Sequence, residues 1–92
     1  MALRSGTKQK ALAALIAKLK QGDAKSKNLA KKLERNPILA AAVIGLLHSR
    51  FSAKAGRELG DGEFLTKLLE WLESGGLKQI FEFVIQILTM VL

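Results

Sequence analysis

Between residues 7 and 20 the apolar side chains Leu12, Leu15, Ile16 and Leu19 recur at i, i+3, i+4 and i+7, which predicts a helix with one buried stripe. Thr7 stands at the expected N-cap and Gly22 at the stop. Lys8, Lys10, Lys18 and Lys20 fall mostly off the stripe. A second helix is predicted from Asp23 or Ser26 to residue 35. It offers only Leu29, Ala30 and Leu33 to a core, while Lys25, Lys27, Lys31, Lys32 and Arg35 face water or a partner. Asn36-Pro37 reads as an N-cap followed by proline at the first helical position, where a missing N–H costs nothing. The third helix, residues 38 to about 50, is apolar on every side and is expected to be the central, buried one. Residues 52–62, with Gly56, Gly60 and Gly62, read as a short helical turn plus a loop.

Asp61 is expected to cap a fourth helix, residues 61–74, that points Phe64, Leu65, Leu68, Leu69, Trp71 and Leu72 inward and pairs Glu63 with Lys67 on its outer face. Gly75-Gly76 permits a tight reversal into a fifth helix, residues 77–92, so these two are expected to form a hairpin. The fifth helix carries more apolar surface than one core contact needs. Ile80, Val84, Ile87 and Val91 form one row; Phe81, Ile85, Leu88 and Leu92 form another. The expected fold is therefore all-α: a compact bundle of four to five short helices with a C-terminal helical hairpin, in a single domain over residues 1–92.

Charge divides that domain in two. Residues 1–57 hold 13 Lys and Arg against Asp23 and Glu34, a balance of +11, and residues 58–92 balance at −4, giving the net +7. Cationic segments seek phosphate, on nucleic acid or on lipid. Lys18, Lys20, Lys25, Lys27, Lys31, Lys32 and Arg35 are the candidate polyanion contacts. The row Phe81, Ile85, Leu88 and Leu92 is the candidate self-association surface, because contiguous apolar patches are rare on soluble monomers.

Composition removes most enzyme chemistry from consideration. There is no Cys, no Tyr and one His, which excludes thiol catalysis and a Cys-ligated metal site and leaves little for acid–base work. His48 has no His, Cys or carboxylate within seven residues and reads as a partly buried side chain at a helix end. Ser49 and Ser52 read as helix-end hydrogen-bonding groups, and Trp71 as a core residue. The glycines at 56, 60 and 62 follow no strand and precede no Lys-Ser/Thr, so they do not form a phosphate loop. No cofactor, metal or small-molecule substrate is expected. The helix after Asn36-Pro37 lacks the polar side chains that base reading needs, so any nucleic-acid contact is expected to be non-specific.

The longest apolar stretches, residues 38–47 and 80–92, fall short of the ~20 residues of a spanning helix, and no cleavable signal peptide is read. The acid-free first 22 residues leave an organelle transit peptide as an alternative, and the absence of Cys fits a reducing compartment or a virion. Several short helices, many Lys, Gly turns, one Trp and no Cys make a composition that is similar to that of compact multi-helix bacteriocins, and equally suits a virion component. The leading expectation is a non-enzymatic assembly protein that self-associates through its last helix and contacts nucleic acid or another polyanion through its basic helices. The alternative is a membrane-active cationic protein that binds anionic lipid.

Overall fold

The computed structural model describes residues 3–91 as five helices in chain order, α1 (Ser5–Lys20), α2 (Ala24–Arg35), α3 (Pro37–Ala55), α4 (Asp61–Glu73) and α5 (Leu77–Val91), with no strand among the described residues. The all-α bundle of short helices is thus the fold. A Cα radius of gyration of 12.4 Å matches the roughly 12 Å of a close-packed chain of this length.

Local chemistry sets the helix ends. The Asp23 carboxylate accepts from the Ser26 N–H at 2.9 Å and starts α2; the Asn36 side chain accepts from the Leu39 N–H at 3.1 Å and starts α3 at Pro37. Two expected caps are used otherwise. Helix α1 begins at Ser5, before Thr7, and Asp61 is the first residue of α4 rather than its cap. Gly56 (φ 73°) ends α3 in a left-handed turn in which the Arg57 N–H reaches back to the Ser52 carbonyl. Helix α3 therefore runs through Ala55, absorbing residues expected to be a separate turn.

Helix α1 packs on α2, α3 and α4, burying Ala11, Leu15 and Leu19 completely. Helix α3 touches all four others but is not buried on every side. Leu39, Ala40, Val43, Ile44 and Leu47 face the core, whereas Ile38 is 83% exposed and Ala41, Ala42 and Gly45 face solvent. The reason is size. The outward positions are apolar by type but mostly Ala and Gly, which have little surface to bury, while the bulky branched residues share one face. At 19 residues with mean hydropathy 1.3 over its most apolar window, α3 is long and apolar enough to cross a membrane, which corrects the expectation that no segment is. Its extension past residue 50 supplies the length. Core helices of soluble bundles satisfy the same criterion.

Residues 56–60 are held against α3 by a pair of bonds to one residue. His48 Nε2 donates to the Leu59 carbonyl at 2.8 Å, and the Leu59 N–H donates to Ser52 Oγ at 3.0 Å. Leu59 is buried as a result. His48 also meets the Phe64 ring edge-on at 5.2 Å. The Arg57 guanidinium grips the Glu63 carboxylate, so Glu63 is paired across the loop rather than with Lys67.

The reversal at Gly75-Gly76 is as tight as expected. Gly75 has φ 93°, and the Gly76 N–H donates to the Trp71 carbonyl at 2.9 Å. The two helices of the expected hairpin meet through the Trp71 and Phe83 rings, 5.9 Å apart, but the closest backbone packing of α5 is on α3. Arg50 of α3 fixes that arrangement by lying 5.2 Å from the Phe83 ring centroid and donating to Gln86 Oε1 at 3.0 Å.

Candidate functional site: a cationic groove with an apolar floor

Because α5 lies along α3, its apolar side borders the polar helix α2. Ile80, Val84 and Ile87 of the first row enter the core together with Phe83, and the Val91 side chain lies outside the described residues. Of the second row, Phe81 is half-buried and Ile85 is 63% exposed; the Leu88 side chain and Leu92 lie outside the described residues. Phe81, Val84 and Ile85 form one wall of a groove of about 810 Å³, and Leu29 and Leu39 contribute its other apolar surface. The α2 side carries Lys25, Lys32 and Arg35, with Asn28 and Asn36 between them. Every charged residue that lines the groove is a cation.

The seven candidate polyanion contacts thus divide into three groups. Lys25, Lys32 and Arg35 border the groove. Lys27 and Lys31 are exposed on α2 and do not line it. Lys18 and Lys20 are paired, Lys18 Nζ with Glu73 at 3.2 Å and Lys20 Nζ with Glu34 at 3.1 Å. These exposed ion pairs contribute little stability, but each brings a carboxylate beside its cation and weakens the local positive field. The groove-facing side of α2, with Lys25, Lys32 and Arg35, therefore sets cations without a lining carboxylate next to apolar surface.

Sequence periodicity separates cations from apolar rows helix by helix, and it cannot say which helices become neighbours. Placing Arg35 and Ile85 at one groove depends on the docking of α5, which the Arg50–Phe83 contact and the Gly75-Gly76 reversal decide. Ile38 is apolar by type, but it precedes the first buried turn of α3 and stands exposed.

A second cleft, about 490 Å³, has Phe51, Leu59 and Trp71 as its apolar surface and Lys54, Lys67 and Glu70 at its edge. It presents both signs of charge and so lacks the bias of the α2–α5 groove. Trp71 belongs to this cleft and to the ring cluster with Phe51 and Phe83, not to the cationic groove. Among the described residues no group of three or more His, Cys, Asp or Glu is placed to hold a metal ion, and no buried side-chain N or O lacks a hydrogen-bond partner. No protein-family model, curated protein or solved structure matches the chain.

Proposed function

We propose that the protein is a non-enzymatic module that attaches to anionic lipid surfaces through the face formed by α2, the start of α3 and α5. One observation carries this reading: Lys25, Lys32 and Arg35 border the same groove as Phe81 and Ile85. A surface that joins cations to accessible apolar side chains suits a lipid boundary, where phosphate attracts the first and the acyl region accepts the second. Nucleic acid would use the cations and leave the apolar wall wet. Flotation with phosphatidylglycerol-containing vesicles, at low and high salt, tests the reading. Binding should persist in part at high salt, and the double substitution Ile38→Ser and Ile85→Ser, both at exposed positions, should abolish that persistent part. Complete loss of binding by the parent protein at high salt would refute it.

A second reading is favoured by Lys27 and Lys31, which stand on α2 away from the groove with no apolar neighbour required. In it the protein is a virion-component-like assembly protein, self-associating through Phe81 and Ile85 and holding nucleic acid on its basic helices. Light scattering distinguishes the two. A parental mass that falls on Phe81→Ser and Ile85→Ser substitution, together with salt-sensitive DNA binding and no vesicle binding, would establish the second reading instead.

A further inference from the structure

We infer that the α2–α5 groove seats a single alkyl chain with an anionic head group, the chain against Phe81, Val84 and Leu39 and the head group against Lys32 and Arg35. This rests on the lipid reading and adds to it a saturable site for one molecule. Three observations support it. The groove volume of about 810 Å³ lies within the ~300–1,000 Å³ typical of sites that enclose small ligands, whereas attachment to a flat surface requires no groove at all. Its charged lining is of one sign, Lys25, Lys32 and Arg35 with no carboxylate, so a sulfate, phosphate or carboxylate meets only attraction there. The apolar lining is only partly covered: Leu39 is 9% exposed, Phe81 half-buried and Ile85 63% exposed, so an alkyl chain seated there has apolar surface left to cover.

Such a site responds to ligand chain length in a way that a membrane surface does not. Each methylene removed from water is worth about 0.8 kcal/mol, or roughly fourfold in affinity. Alkyl sulfates of eight, ten and twelve carbons, each below its micelle concentration, are to be titrated calorimetrically into the full chain, with circular dichroism confirming that the helices persist. One molecule should bind per chain, tightening about fourfold per methylene until the groove is filled. The matching alkyl maltosides, which lack the charge, should bind at least tenfold more weakly. Lys32→Gln with Arg35→Gln should weaken the sulfates about tenfold and leave the maltosides unchanged. Ile85→Glu, at an exposed position, should weaken both series. Vesicle flotation without stoichiometric binding of any alkyl sulfate would overturn the inference and leave the lipid reading standing. Loss of both would overturn the two together, and binding of several molecules per chain, insensitive to these substitutions, would also overturn the site.

Discussion

Thr7 donates its hydroxyl to an Asp61 carboxylate oxygen at 2.8 Å, joining residues 54 positions apart. Thr7 is buried on α1, and Asp61 sits in the first turn of α4, where its negative charge also favours the helix N-terminus. The bond thereby fixes the starts of two helices to one another, and Arg4 Nε, 3.9 Å from the same carboxylate, adds a longer, exposed ion pair. Thr7→Val should cost about 1–2 kcal/mol, the loss of a partly buried hydrogen bond. A double-mutant cycle with Asp61→Ala should show a coupling of at least ~0.5 kcal/mol in urea unfolding. Two caps acting independently would give additive losses.

Gly76 and Gly45 should respond oppositely to alanine. A Cβ on Gly76 would lie 2.3 Å from the Trp71 ring and 2.7 Å from the Trp71 carbonyl oxygen, so Gly76→Ala must displace backbone or indole and should destabilise by about 1–3 kcal/mol. A Cβ on Gly45, in the interior of α3, meets nothing within 4 Å. Gly45→Ala should stabilise by roughly 0.5–1 kcal/mol through helix propensity alone. Thermal unfolding of the two variants checks both signs.

Two carboxylates give the fold a definite acid response. The Ser26 N–H and hydroxyl hold the Asp23 carboxyl below its usual range, and the Arg57 guanidinium does the same to Glu63. Both folded-state values are depressed, so their stabilising contribution is present above the ordinary carboxylate range near pH 4 and is lost as pH falls through the lower folded values. Both sites are exposed, so the effect is small. The urea midpoint should decline below about pH 4, and the decline should be shallower in Asp23→Asn and in Glu63→Gln.

Ile44 is 1% exposed and Lys31 is exposed on α2. Ile44→Ala should cost about 2–5 kcal/mol, and Lys31→Ala should stay within about 0.5 kcal/mol of the parent. Similar urea midpoints for the two would show that the core lies elsewhere.

The contrast between α3 and α1 shows where sequence reading succeeds and where it fails. The Leu12–Leu15–Ile16–Leu19 spacing finds the packed side of α1, where Leu15 and Leu19 are fully buried and Leu12 and Ile16 half-buried, while Thr7 and Ala11 complete the buried stripe. In α3 the apolar pattern overstates burial, because Ala41, Ala42 and Gly45 are apolar without supplying area and face solvent. Asp23 and Asn36 were legible as caps since their partners lie three residues away. Thr7 and Asp61 were not, since each had a plausible local role and their actual partnership is tertiary. The candidate site divides in the same way. Its cations and its apolar row are periodic features that can be read along the chain. Their meeting at one groove follows from the packing of α5 on α3, which no local spacing encodes.

If the cationic face binds lipid, the position of its cations beside apolar surface should matter more than net charge. This is tested by comparing two triple variants of equal charge for flotation with phosphatidylglycerol-containing vesicles. One neutralises Lys25, Lys32 and Arg35 at the groove to Gln; the other neutralises the exposed residues Lys8, Lys10 and Lys27 away from it. A cation at an anionic surface is worth about 1 kcal/mol, so the groove variant should bind roughly a hundredfold more weakly than the parent. The off-groove variant should lose less than about fivefold. Equal losses in the two would show that the groove has no special role and that overall charge alone drives the interaction.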